Sequence, residues 1–193
     1  MQHKMFGKAK IVKRDCKLLV RNMYESVFYR FARSRRVSRR IRKVVFVCMG
    51  NICRSAFAEY LMKAQTKDKL LSIESCGLNV DMRTPSPLEA IITAKRFGLD
   101  LEGHLSKGWE CCDFENADLI LAMEFWQYKK LIALFPHKNE NIKLLREFAP
   151  FPENLLCNIN DPFGQTEEKF EKCFRQIKRS IANINTMGMI LRS

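Results

Sequence analysis

Residues 44–59 read VVFVCMGNICRSAFAE, and the residue types in this stretch could do chemistry at their spacing. A β-branched run stops at Cys48, and Met49, Gly50, Asn51, Ile52 and Cys53 separate it from Arg54 and Ser55. A loop of this length can curl back on itself, with Gly50 expected to relieve backbone strain. Successive N–H groups then point inward and make an anion nest at the start of a helix. Arg54 adds a planar fork of donors that matches two oxygens of a tetrahedral oxyanion. The same positive field favours the thiolate form of Cys48. A thiolate at the floor of a phosphate cradle is a nucleophile aimed at phosphorus. The plain alternative is a buried cysteine closing a strand and an arginine of no special role. Against it stand the strand before, the helix after, the Gly and Asn inside the loop and the Ser behind it.

Such a loop needs a strand and a helix to hold it, and the rest of the chain supplies that pattern. Short apolar runs at 44–48, 70–75, 117–123 and 141–148 read as strands. Amphipathic segments at 55–65, 87–98, 124–135 and 165–184 read as helices. The second begins with Pro87 and ends at Gly98, and the last is acidic early and basic late, as the helix dipole favours. Strands separated by helices predict right-handed crossovers and a four-stranded parallel sheet with helices on both faces, in the flavodoxin-like manner. Ligands in such folds bind at the carboxyl ends of the strands, which is where Cys48 falls.

The charge is unevenly placed. Residues 1–43 hold 15 Lys/Arg against 2 Asp/Glu, whereas residues 44–193 hold 19 of each sign. The chain therefore divides into a basic, partly helical extension (1–42) and a neutral domain (43–193), and an acidic partner is expected for the extension alone. No apolar run approaches the roughly 18 residues of a membrane span, and no apolar core with a small-residue cleavage site opens the chain, so a secretory signal is not expected. The eight cysteines lack metal-ligand spacing; they are expected to be mostly reduced in a cytoplasmic protein, and no metal or cofactor is expected.

CMGNICRS (48–55) resembles the signature loop of the low-molecular-weight protein tyrosine phosphatases. The resemblance extends through ESCGL (74–78), GLDLEGH (98–104), ADLILAM (117–123) and NDPF (160–163). It implies hydrolysis of phosphotyrosine through a phosphocysteine intermediate, on phosphotyrosine-containing proteins. Cys48 then corresponds to the nucleophile, Arg54 to the phosphate-binding arginine, and Asp161 to the general acid. Residues 49–54 form the phosphate-binding loop. Asn51, Ser55, Ser75 and His104 correspond to the network supporting it, Phe163 to a pocket wall and Cys53 to a redox partner of Cys48. Alone, Asp161-Pro162 would be an ordinary turn, His104 a loop histidine, Ser75 a cap and Phe163 a core residue. The chain departs from the family at Met49, Leu78 and Glu124, and Glu124 and residues 79–83 are expected to reshape the pocket rim.

Two enzymes of the same fold compete with this reading. An arsenate reductase would carry further cysteines near the end of the third strand, where this chain has AMEFWQ. An arginine phosphatase typically has Thr where Ile52 stands. A retired phosphatase acting as a scaffold through its leader is the third alternative, opposed by the complete set Cys48, Arg54 and Asp161. Within the leader, Val20, Tyr24, Val27, Phe28 and Phe31 fall on one helical face, beside RSRRVSRRIRK (33–43). That pairing predicts binding to an anionic membrane surface, peripheral to a cytoplasmic enzyme; nucleic acid, an organelle-targeting role and a solvated tail are the alternatives.

Overall fold

The computed structural model describes residues 2–34, 41–68 and 70–186, with side chains from residue 15 onward. Most of the basic run at 33–43, namely residues 35–40, lies outside the described residues. The elements run α1 (Gln2–Ala32), β1 (Lys43–Cys48), α2 (Arg54–Gln65), β2 (Ser72–Gly77), α3 (Leu88–Lys95), β3 (Leu119–Ala122), α4 (Phe125–Leu134), β4 (Ile142–Leu144) and α5 (Glu167–Thr186). The four strands form one parallel sheet in the order β2-β1-β3-β4.

The central strand β1 is buried on both faces, and its alternate side chains feed two cores. Val44 and Phe46 join Phe57, Leu61, Phe174 and Ile177 under α2, α3 and α5. Val45 and Val47 join Ile120, Ala122, Tyr128 and Leu131 under α4. A strand buried on both faces has no polar side to alternate, which explains its uninterrupted apolar run. The strand expected over 141–148 ends at Leu144, and residues 145–148 turn instead into a short 3-10 helix with Arg146 drawn inward. The helix expected over 87–98 ends at Lys95, and Gly98 takes the left-handed φ of 76° that closes such a turn.

The leader helix α1 lies against the sheet domain through polar Asn22 and Ser26 and through Tyr29, whose ring packs edge-on against Phe125 and Tyr128. Asn22, Ser26 and Tyr29 are buried there. The Tyr29 hydroxyl accepts from Leu144 N at 2.9 Å and donates to Glu147 at 2.5 Å, so α1 satisfies part of the open edge of β4. Burial and the neighbouring Glu147 push the Tyr29 phenol well above its ordinary range, which keeps it a donor. Ser26 accepts from Cys157 N at 2.9 Å, and Asn22 accepts from Asn158 N at 3.2 Å.

Candidate active site

The loop from Cys48 to Ser55 leaves β1 and enters α2, at the carboxyl end of the central strand. Gly50 does not carry the strained conformation; Asn51 does, with φ of 53°. Asn is the non-glycine residue that best tolerates this region, and here its polar atoms pin it. Asn51 Nδ2 donates to Ser55 Oγ at 2.9 Å and to Ser75 Oγ at 2.8 Å. Its Oδ1 accepts from Lys107 N at 3.0 Å, and its carbonyl accepts from His104 Nε2 at 2.6 Å. A carbonyl only accepts, so Nε2 carries the proton. Burial holds the His104 imidazole below its ordinary value, so its neutral form is the one built in.

This network reaches the thiol. Asn51 N points at Cys48 Sγ at 3.3 Å, and Ser55 Oγ lies 3.0 Å from the same sulfur. Ser55 accepts from Asn51, and its one proton is shared between the sulfur at 3.0 Å and the Cys76 carbonyl at 3.3 Å. Ser75 in turn donates to Glu59 Oε2 at 2.5 Å, which sets the hydroxyl so that it can accept from Asn51. The sequence missed Glu59, although it stands one turn after Ser55 on α2.

Arg54 is almost wholly buried, and its fork is fixed on two sides. Nη1 donates to Glu124 Oε2 and to the Ile159 carbonyl, both at 2.9 Å, and Nη2 donates to Asp161 Oδ2 at 2.6 Å. Burial alone would push the guanidinium down, but Asp161, Cys48 and Glu124 more than offset it and hold it above its ordinary value. Arg54 Nε is buried without a protein acceptor. An inward donor of that kind calls for an anion in the cradle. Glu124 therefore does more than shape a rim: it fixes Arg54 and also caps α4, with Gln127 completing a capping box.

Gly77 ends β2 opposite Cys48 and lets the backbone of the loop approach. A Cβ there would stand 2.7 Å from Met49 O and 2.9 Å from Asn51 N. Of the remaining expected residues, Phe163 and Met49 are exposed at the rim, and Ile52 packs partly against the core. Cys53 is buried, and burial with the nearby Cys48 pushes its thiol far above the ordinary range. Among the described residues no cluster of His, Cys, Asp or Glu could hold a metal.

The family model described as low molecular weight phosphotyrosine protein phosphatase matches residues 43–187. The chain belongs to this family. Among curated relatives, the Escherichia coli K12 low molecular weight protein-tyrosine-phosphatase Wzb is 31% identical over 137 residues, covering 71% of this chain and 88% of its own. The Streptomyces coelicolor low molecular weight protein-tyrosine-phosphatase is 28% identical, with 70% and 87% covered. Among solved structures, the low molecular weight protein tyrosine phosphatase from T. tengcongensis is 29% identical with a TM-score of 0.67, covering 75% of this chain and 98% of its own. An arginine phosphatase from Geobacillus stearothermophilus shares the fold at 22% identity and a TM-score of 0.65, over 75% of this chain and 91% of its own.

Proposed function

We propose that Cys48, Arg54 and Asp161 carry the hydrolysis of phosphotyrosine in a protein-tyrosine-phosphatase domain that begins at residue 43, behind a basic extension. The observation that supports this most is the meeting of three groups at one end of the sheet. A thiol sits under backbone and hydroxyl donors, a buried arginine keeps one inward N–H unpartnered, and a carboxylate lies 2.6 Å from that arginine.

The reaction follows from these positions. Phosphate oxygens take the loop N–H groups and Arg54 Nε, which spreads charge off the phosphoryl group. Cys48 sulfur attacks phosphorus as the P–O bond to the phenol breaks, giving a phosphocysteine. Asp161 gives its proton to the leaving oxygen, since a phenolate leaves poorly unprotonated. A water then loses a proton to Asp161 and attacks phosphorus, breaking the P–S bond and releasing inorganic phosphate and the thiolate. Asp161 Oδ2 accepts from Arg54 Nη2. The incoming phosphate competes for that donor and frees the carboxyl to meet the leaving group. Asn51, Ser55, Ser75 and His104 hold the loop, Phe163 walls the pocket, and Cys53 stands ready as a redox partner. The enzyme works in the cytoplasm on phosphotyrosine-bearing proteins, and its basic leader engages an anionic surface.

The test is turnover of para-nitrophenyl phosphate and of a phosphotyrosyl peptide by the wild type, Cys48→Ser and Arg54→Lys. Both variants fall to background, because a serine hydroxyl does not ionise here at neutral pH and an ammonium cannot supply paired donors. Near-normal turnover by Cys48→Ser overturns the mechanism. Faster release of phosphate from a phosphoarginyl peptide than from its phosphotyrosyl counterpart overturns the substrate.

A further inference from the structure

An amphipathic helix packed on a domain ordinarily turns its apolar side inward. Among its described side chains the leader helix α1 turns in one aromatic ring, that of Tyr29 against Phe125 and Tyr128, and leaves its broad apolar side outward. Its inward side is Asn22, Ser26 and Tyr29, hydrogen-bonded to β4 and to residues 157–158. Leu19, Val20, Met23, Tyr24, Val27, Phe28 and Phe31 are all exposed, Val20 at 66% and Phe31 at 87%. At 3.6 residues per turn these seven cover about half of the helix circumference, opposite the docked side. Single exposed apolar residues need no explanation; a continuous stripe of seven, three of them aromatic, marks a surface meant to be covered.

Charge decides what covers it. Lys17, Arg21 and Arg30 accompany or border the stripe, and none of them is buried. By sequence, residues 1–14 add five Lys/Arg and residues 35–42 add five. A second copy of this chain would bring two such leaders together against their mutual repulsion. A nucleic acid answers the charge but leaves the apolar stripe in water, because phosphate contacts are made by basic and polar side chains. An anionic bilayer answers both: headgroups meet the Lys/Arg, and the acyl boundary takes the aliphatic and aromatic side chains. Among the described residues no helix is long and apolar enough to cross a membrane, so α1 lies on the surface.

We propose that the outward face of α1 docks this enzyme on an anionic lipid bilayer, so that it acts on phosphotyrosines held close to that surface. The helix need not leave the domain to do so, since its two faces serve different partners. It also lies beside the cradle. Arg21 is 3.4 Å from Glu124 Oε1, and the other oxygen of Glu124 holds Arg54. The catalytic opening is therefore within side-chain reach of the docked helix. The choice of substrate rests on the reaction proposed for Cys48, whereas the docking does not, and the two are read out separately.

The experiment uses the full chain and vesicles of phosphatidylserine with phosphatidylcholine, or of phosphatidylcholine alone, at low and high salt. Wild type is compared with the triple variant Val27→Ser, Phe28→Ser, Phe31→Ser, whose positions are exposed and outside the cradle. The wild type sediments with the anionic vesicles only, and salt releases it; each Lys/Arg that meets the leaflet is worth about fivefold in partition. The triple variant stays in the supernatant while hydrolysing para-nitrophenyl phosphate at the wild-type rate, which shows that its fold and cradle are intact. A phosphotyrosyl peptide anchored to anionic vesicles is then hydrolysed faster than the free peptide by the wild type and not by the variant. A wild type that remains in the supernatant at low salt overturns the docking. So does a wild-type dimer that the triple variant abolishes, or binding to duplex nucleic acid with no binding to vesicles. Loss of para-nitrophenyl phosphate hydrolysis in both proteins would strike the reaction at Cys48 and leave the sedimentation result standing.

Discussion

Gly77→Ala is a one-methyl perturbation outside the catalytic groups, and its effect can be worked from distances. The added Cβ would lie 2.5 Å from Val80 Cγ2, 2.7 Å from Met49 O and 2.9 Å from Asn51 N. Ordinary van der Waals contact begins near 3.4 Å, so the two loop backbone atoms must retreat by roughly 0.5–0.7 Å. Val80 is a side chain and can turn away. Met49 O and Asn51 N cannot move alone, because they belong to the segment that places an N–H on Cys48 Sγ and accept or support the bonds from Asn79 N and Lys107 N. Overpacking of this kind costs about 1–3 kcal/mol in stability. Its larger effect is on rate: a 1 Å misplacement is worth about a hundredfold, so a shift of half that or more lowers kcat by about tenfold or greater. The assay is steady-state turnover of para-nitrophenyl phosphate beside a thermal melt, on Gly77→Ala and on Gly77→Ala with Val80→Ala. The second substitution removes the side-chain clash only, so it does not restore kcat. A kcat within twofold of wild type in the single variant, or full rescue in the double, refutes the claim that backbone approach at Gly77 sets the loop.

Three further outcomes are expected. Asp161→Ala lowers kcat far more for phenyl phosphate than for nitrophenyl phosphate, because the better leaving group needs less protonation; equal losses would mean that Asp161 is not the acid. Mild peroxide converts Cys48 to a sulfenic acid with release of water, and the Cys53 sulfur then attacks the sulfenic sulfur, its proton leaving with the hydroxyl as a second water, to give a reversible disulfide; peptide mapping that finds only sulfinic acid at Cys48 counts against this. His104 is held below its ordinary value, so its contribution to stability is complete above about pH 6.5 and is lost as the pH falls through the lower folded value. Urea unfolding at neutral and mildly acidic pH shows this as a decline of at most about 1.4 kcal/mol per pH unit, absent in His104→Gln.

The sheet was legible in the sequence because its strands are buried on both faces and its helices are not. β1 reads as VVFVC without interruption, whereas α2 shows Phe57, Tyr60, Leu61 and Ala64 at helical spacing. β4 was overread because LLREF continues the apolar run; nothing local says that Arg146 turns inward to the Asn158 carbonyl at 2.6 Å. Within the loop, residue types announced an anion cradle, yet the strained position fell on Asn51 and not on Gly50. Propensity favours glycine for a left-handed φ, and five hydrogen bonds through Asn51 outweigh it. Glu59 was invisible for a different reason. Its partner Ser75 is 16 residues away on β2, and only the packing of α2 against that strand brings them together.

Glu124 shows how one departure can reorganise a site. Its carboxylate takes Arg54 through one oxygen and Arg21 through the other, so the leader helix and the phosphate cradle share a single anionic hinge point. Glu25, on the same helix as Arg21, accepts from the Asn158 side chain, three residues before Asp161. Movement of α1 would therefore be felt at Arg54 and at the segment that leads to Asp161 together. Bonded in this way, the basic extension reaches Arg54 through Glu124 and the 158–161 segment through Glu25. Arg21 is half-exposed, and its ion pair with Glu124 is worth little by itself. The buried polar contacts of Asn22, Ser26 and Tyr29 fix the helix, and the Arg21 contact then tunes what the fixed helix delivers to Arg54.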